Sequence, residues 1–299
     1  MTKDANHTAA APPRSGPWFT EIAEEAGMAL SLQIRARLHE ETSPYQRIEI
    51  YDTETFGHLM VIDGFVMLSE RDNFVYHEML AHPVLFSHPE PRKVLIIGGG
   101  DCGTLREVLK HPEVRQVTQV DIDERVTRLA EQFFPELCES NDDPRAELQF
   151  DDGVAWVGNA ADDSVDVIIV DSTDPVGPGE GLFNESFYRE CRRVLGDGGL
   201  LVQQSESPLI HIDLIQAMRR AMQDAGFGAC HSLQFPQPVY PSGWWSATIA
   251  SSGRELPGFR ERDAAKRQFH TRYWTPALHH GALAMPAFFL EVTGQAETG

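Results

Sequence analysis

A glycine cluster and a series of aspartates carry the residue types that could do chemistry. Gly98, Gly100 and Gly103 stand in the run Gly-Gly-Gly-Asp-Cys-Gly, directly after the apolar stretch Val94 to Ile97, with the spacing GxGxxG. Glycines so placed let a chain turn tightly from strand to helix and approach a nucleotide closely. Asp121 ends the next apolar run, where a carboxylate can accept hydrogen bonds from both hydroxyls of a ribose. The pair points to an adenosine site, whereas the glycines alone would serve an NAD or FAD enzyme equally. Asp152-Gly153 follows a third run. Its carboxylate either accepts from an adenine amino group, with the glycine leaving room for the ring, or caps a helix. A fourth run, Val165 to Val170, leads into Asp171-Ser172-Thr173-Asp174-Pro175. Open parallel sheets bind ligands beyond the carboxyl ends of their strands, so two carboxylates are expected in a cleft there.

The elements that must position these residues are legible as a change of pattern along the chain. Between Gln46 and Leu68, short β-favouring runs (Ile48 to Tyr51, Leu59 to Ile62, Phe65 to Leu68) are separated by Gly57 and by Asp63-Gly64. Asp-Gly between apolar runs is a hairpin signal, which predicts a small antiparallel sheet. Asp72 is the expected cap of a helix from about Asn73 to Leu85 that carries Tyr76, His77, Met79, Leu80 and Val84. Pro89 and Pro91 mark a boundary. Beyond Arg92, apolar strands (Val94 to Ile97, Val117 to Asp121, Leu148 to Phe150, Val165 to Asp171, Leu200 to Gln203) alternate with amphipathic segments, the first of them Thr104 to Lys110. That alternation predicts a Rossmann-like α/β domain with a mainly parallel sheet. Cys230 to Phe235 and Trp245 to Ser251, separated by prolines, are expected as an antiparallel addition at one edge. The division expected is a tail over 1–17, a β module with its linking helix over 18–88, and the α/β domain over 89–299.

Composition narrows the function classes. The 299 residues are 41% hydrophobic, enough for a large core, and carry 45 acidic against 25 basic side chains for a net charge of −20. Nucleic-acid binding needs clustered Lys and Arg, so an acidic chain of this kind is a poor fit to it and is compatible with cationic substrates. Cys102, Cys138, Cys191 and Cys230 form no CxxC pair, so neither a zinc site nor a disulfide framework is indicated and a reducing cytoplasm fits. The first 17 residues lack the apolar run of a signal peptide or membrane span.

The blocks IIGGGDCGTLREV, VDIDERV, DDG, DSTDPVGPGEGLF and PVYPSGWW, preceded by SPYQ, IDG and YHEM and followed by RYWTPALHHGALAMP, resemble in order those of the spermidine synthases, the polyamine aminopropyltransferases. The similarity runs from about Trp18 nearly to the C-terminus. It implies an enzyme that transfers the aminopropyl group of decarboxylated S-adenosylmethionine to putrescine or a related amine, with an N-terminal β module, a homodimer or homotetramer, and no metal or cofactor, the adenosyl compound being a co-substrate. It further implies that Gln46, Asp121, Asp152, Gly153 and Pro178, with Gly98 and Gly100 of the glycine loop, bind the adenosyl donor. Asp101 would lie near the aminopropyl ammonium. His77, Asp174, Tyr240 and Tyr76 would face the amine, and Asp171 would accept its proton. Glu21, Glu206 and Trp18 are candidates for the distal end of the amine. Without the resemblance, Tyr76 and His77 would read as ordinary core residues.

The chain departs from the family's common pattern at Met67 (commonly Gln), Asn73 and Asp121 (commonly Glu), Cys102 (commonly Gly) and Val239 (commonly Thr). The rival readings are a methyltransferase using intact S-adenosylmethionine, an NAD-dependent dehydrogenase, and a non-catalytic polyamine-binding homologue. Asp101 speaks against the first, because a carboxylate there repels the methionine carboxylate of the intact donor.

Overall fold

The computed structural model describes residues 16–173 and 177–295. Its first sheet is an antiparallel meander of β1 (Trp18–Ala23), β2 (Met28–Thr42), β3 (Arg47–Thr53), β4 (His58–Ile62) and β5 (Phe65–Ser69), paired in that order. The Asp63-Gly64 turn does what its residues allow: φ is 50° and 93° at the two positions, and Ile62 pairs with Phe65 across a two-residue loop. Alternation along β3 to β5 sends Ile48, Ile50, Met60 and Ile62 into one core and Tyr51, Leu59, Val61 and Val66 into another. The sequence reading lacks β1 and β2.

Next comes α1 (Asn73–Ser87), in which every residue but Phe74 is buried. Asp72 precedes it but does not cap it. Its carboxylate instead accepts from Ser69 Oγ at 2.6 Å and from the Val239 N–H at 3.3 Å, because the polypeptide on both sides reaches it before the helix N–H groups do. Glu78, one position after His77, accepts the backbone N–H groups of Arg272, Tyr273 and Trp274 at 2.7, 2.9 and 2.7 Å. The C-terminal segment is thereby fastened to the outside of α1.

The second sheet is built from β6 (Lys93–Gly98), β7 (Gln116–Asp121), β8 (Ala146–Phe150), β9 (Val167–Asp171), β10 (Leu200–Gln204), β11 (Ala229–Pro236) and β12 (Trp244–Ser251) in the order β11-β12-β10-β9-β6-β7-β8. The five strands from β10 to β8 are parallel, and β12 and β11 are added antiparallel at one side. The helices are α2 (Gly103–Leu109), α3 (Glu124–Phe133), α4 (Gly153–Asn159), α5 (Glu185–Leu195) and α6 (Ile212–Asp224), followed by the C-terminal α7 (Glu261–Lys266), α8 (Pro276–Leu283) and α9 (Ala287–Thr293). Apolar side chains on both faces of β6 and β9 require cover on both sides. Val94, Ile96, Val167 and Ile169 pack towards α1 and α2, and Leu95, Ile97, Ile168 and Val170 towards α5 and α6.

From β6 the chain runs outward to β7 and β8, then returns to the other side for β9 and β10. Such a reversal opens a crevice at the carboxyl ends of the two central strands. Gly98 of β6 pairs with Asp171 of β9 at that point.

Candidate active site

The glycine loop is shaped by what it must clear. Gly98 and Gly99 have φ of 81° and 67°, a region that glycine enters at no steric cost. A Cβ on Gly98 would stand 2.1 Å from the Asp171 carbonyl oxygen, and the Gly99 N–H donates to that same oxygen at 2.7 Å. The loop is therefore laid directly on the end of β9. At Gly103 a Cβ would meet the His77 ring at 2.1 Å, so α1 and the start of α2 touch through this glycine.

Asp171 is held from two sides. Its Oδ1 accepts from the Tyr76 hydroxyl at 2.8 Å and its Oδ2 from the Thr104 hydroxyl at 2.6 Å. Burial raises its pKa, the Asp101 charge adds to this, and the pull of His77 and of the two hydroxyls only partly offsets them. Asp101 itself accepts from the Gly103 N–H at 2.7 Å and faces His77 Nε2 at 3.1 Å. Burial works against charge on both members of that pair. Their mutual attraction prevails, raising the His77 pKa and lowering that of Asp101.

Asp121 closes the other flank. Burial lifts its pKa to about 6, although the N–H groups of Asp123 and Gly100 hydrogen-bond its carboxylate. A Cβ on Gly100 would come within 2.8 Å of Asp121 Oδ2, so loop and acid face one another with nothing between. Asp152 caps α4, accepting the N–H groups of Val154 and Ala155, and it also lines the cleft. The two readings of this residue are thus compatible, since a capping carboxylate keeps acceptor capacity for a ligand. Gln46 reaches the same region from the turn before β3. Its amide donates to Asp123 Oδ2 at 2.9 Å, and Ser43 Oγ donates to that oxygen at 2.6 Å, tying the first sheet to the start of α3.

These residues enclose a cleft of about 950 Å³ lined by Gln46, Met67, Gly98 to Asp101, Asp121, Asp152, Gly153 and Asp171. A second hollow of about 360 Å³ adjoins it, lined by Glu21, Phe65, Gln204, Pro241 and Trp245. Met67, Tyr76, Ser172, Thr173 and Tyr240 border both. The Tyr240 hydroxyl donates to the Met67 carbonyl at 2.6 Å, and its ring meets Tyr76 and Trp245 edge-on at 6.0 and 4.7 Å. A long acidic channel with an aromatic waist suits an adenosine-sized group at one end and a slender cation at the other.

Comparison with known proteins gives the same picture. Residues 73–257 match the Spermine/spermidine synthase domain and residues 17–70 the Spermidine synthase tetramerisation domain. The chain belongs to the spermine/spermidine synthase family. It is an enzyme of the aminopropyltransferase type. Polyamine aminopropyltransferases of Nitrosococcus oceani and Methylococcus capsulatus are 65% and 64% identical to it, over 91% of this chain and 95% of each relative. Among solved structures, a spermidine synthase in complex with the transition state analogue AdoDATO superposes with a TM-score of 0.90 at 35% identity, covering 96% of this chain and 98% of the other. The spermidine synthase of Thermotoga maritima gives 0.88 at 34% identity, covering 96% and 97%.

Of the residues expected in this aminopropyltransferase site, Gln46, Tyr76, Gly98, Gly100, Asp101, Asp121, Asp152, Gly153, Asp171 and Tyr240 line the main cleft. His77 stands behind Asp101 rather than on the wall. Glu21 borders the smaller hollow, where it accepts the Val66 N–H at 2.7 Å. Glu206 is buried beside Gln204 and His211, and Trp18 is 47% exposed; neither borders either space. Asp174 lies outside the described residues, as does the Pro178 side chain within the 3-10 segment Gly177–Phe183.

Thr104, Ser43 and Asp123, Gln204 and Trp245 are site or supporting residues to which the sequence reading gives no role. Thr104 has a signal in hindsight, being the first side chain after the last loop glycine and so aimed back at the strand ends. Asp123 likewise sits where a helix cap belongs, and Arg125 N–H donates to it.

Among the described residues no helix is long and apolar enough to cross a membrane.

Proposed function

We propose that the enzyme transfers the aminopropyl group of decarboxylated S-adenosylmethionine to putrescine, giving spermidine and methylthioadenosine. The adenosyl part would occupy the main cleft, with its ribose at Asp121 and its adenine near Asp152 and Gly153. Putrescine would thread the waist between Tyr76 and Tyr240, its far ammonium towards Glu21. One observation carries this reading: the Asp171 carboxylate lines the larger cleft and is fixed there by the hydroxyls of Thr104 and of Tyr76, a residue that borders both spaces.

An alkyl ammonium has a pKa of roughly 10.4 by analogy with lysine and no lone pair to attack with. Asp171 would hold the attacking ammonium, accept its proton as the carbon–nitrogen bond forms, and leave neutral methylthioadenosine to depart. A base whose pKa is raised by burial is better matched to that transfer than an ordinary surface carboxylate. Asp101, kept anionic by His77, would steer the aminopropyl ammonium of the donor. Because the sulfonium is an activated leaving group, in-line alignment supplies much of the acceleration. Asp174 is assigned to orienting the amine on the family resemblance alone.

The test is mass spectrometry of products from a competing mixture of diamines, with decarboxylated and intact donor in turn. Spermidine from putrescine and the decarboxylated donor is expected, and methyl transfer without aminopropyl transfer overturns the assignment. Asp171→Asn should fold and bind donor yet lose on the order of 10²-fold or more in kcat. Full activity in that variant removes Asp171 from the role of base.

The match of residues 17–70 to a tetramerisation domain, with Trp18, Ile22 and Leu38 exposed by 47, 62 and 41% on the first sheet, supports a homotetramer. Light scattering on the eluting protein tests it, and a monomer at micromolar concentration would refute it.

A further inference from the structure

Two cysteines that aminopropyl transfer does not use meet under the glycine loop. Cys102 lies within that loop, fully buried, with φ of 68°, a left-handed conformation uncommon for any residue but glycine. Cys138 closes the turn after α3 and is half-buried. The Cys102 thiol lies 3.6 Å from the Gly100 carbonyl oxygen, and the Cys138 thiol 3.7 Å from that of Asp101, the next carbonyl along. The Cys138 thiol thus rests against the peptide unit that joins Asp101 to Cys102, and the nearness of Cys138, ahead of burial, pushes the Cys102 pKa upward. The other cysteines, Cys191 and Cys230, are buried in the core between the second sheet and α5 and α6.

We infer that Cys102 and Cys138 form a site of reversible oxidation, where a hydroperoxide joins them as a disulfide that distorts the glycine loop and weakens adenosyl binding. Cys138, the less buried of the two residues, would react first. Its thiolate attacks the peroxide, the O–O bond breaks, a sulfenic acid forms on Cys138, and the departing oxygen takes up a proton as an alcohol, or as water from hydrogen peroxide. Cys102 sulfur then displaces hydroxide from the sulfenic sulfur, the S–S bond forms, and the Cys102 proton leaves with that hydroxide as water. Two thiols give up two electrons and two protons, and the peroxide is reduced.

The placement explains the effect on the loop. Asp101 stands between the two anchoring carbonyls, and its carboxylate holds both the Gly103 N–H and His77. A disulfide requires the sulfurs to close to about 2 Å, which draws both away from the carbonyls they touch and drags Asp101 with them.

The test uses the full chain treated with hydrogen peroxide, quenched with an alkylating agent and mapped by peptide mass spectrometry. A cross-linked pair of peptides bearing Cys102 and Cys138, absent after dithiothreitol, is expected, together with loss of methylthioadenosine binding by calorimetry that dithiothreitol restores. Cys138→Ala should bind as the parent does before treatment and keep that binding after it. Cys138 recovered as sulfinic acid with Cys102 unlinked overturns the inference, as does a Cys138→Ala variant that loses binding to peroxide as fast as the parent. The cross-link is read whether or not the protein makes spermidine, so the two proposals fail independently.

Discussion

The His77 ring occupies the space that a side chain on Gly103 would need, with Cε1 standing 2.1 Å from where the Cβ would be. The ring cannot retreat, because it is buried in α1 and its Nε2 is held by Asp101. Gly103→Ala should therefore cost about 1–3 kcal/mol in denaturant unfolding, in the range of overpacked cores, and should weaken donor binding by moving Asp101. Unchanged stability and donor affinity would show that the loop yields freely.

Thr104 and Tyr76 each donate to the Asp171 carboxylate, and donors to a carboxylate favour its charged form. Thr104→Val and Tyr76→Phe remove one donor each, so both should push the Asp171 pKa further up. A base must be deprotonated to act, hence the acidic limb of the kcat/KM profile should move to higher pH in both variants. A limb that stays in place, or moves down, contradicts the role given to Asp171.

Asp121 combines a function with a cost. Its folded pKa of about 6 lies above the ordinary carboxylate value, so the apoprotein is stabilised while Asp121 is protonated and loses that stability as pH rises through about 6. Asp121→Asn should thus raise the melting temperature of the apoprotein at pH 8 and change it little at pH 4. The same variant should bind donor poorly at every pH, whereas the parent should lose donor affinity only as pH falls below about 6. Melting curves and titration calorimetry at the two pH values check both halves.

Glu21 borders the narrower hollow, which the glycine loop does not line. Glu21→Gln keeps an acceptor for the Val66 N–H but removes the charge that would meet the far ammonium. The KM for putrescine should rise by roughly 10-fold or more, with the KM for donor unchanged, as expected for a lost charge-assisted contact. A monoamine acceptor should be indifferent to the change.

What the chain disclosed beforehand follows burial. The central strands of the second sheet are apolar on both faces, and three of its seven, β6, β7 and β9, end in glycine or acid, which is why the cleft at Gly98 and Asp171 could be anticipated. β2 escaped because most of its residues are exposed or half-buried, although Leu30 to His39 alternates apolar and polar side chains with the period of two that marks a strand. β1 escaped for the same reason, with only Glu21 and Ala23 buried. The α1 helix is legible from Asp72 and the near-helical spacing of Tyr76, Met79, Leu80 and Val84, yet its burial on nearly all sides erases the polar stripe that marks an ordinary surface helix, and its last turn passes Pro83 to reach Ser87. Asp121, Asp152 and Asp171 were legible because strand ends and helix starts are fixed by local pattern. The partnership of Thr104 with Asp171, and the waist made by Tyr76 and Tyr240, depend on contacts between segments far apart in sequence.

The clasp formed by Glu78 has a bearing on how the chain can be cut. The synthase-domain match ends at residue 257, yet the three N–H groups that Glu78 receives belong to residues 272–274. A shortened protein trimmed to the match would strand a buried carboxylate one position from His77 and two from Tyr76. The dispensable-looking end of the polypeptide is therefore a remote brace for catalysis, and a protease nick there would silence the enzyme without touching a single ligand contact.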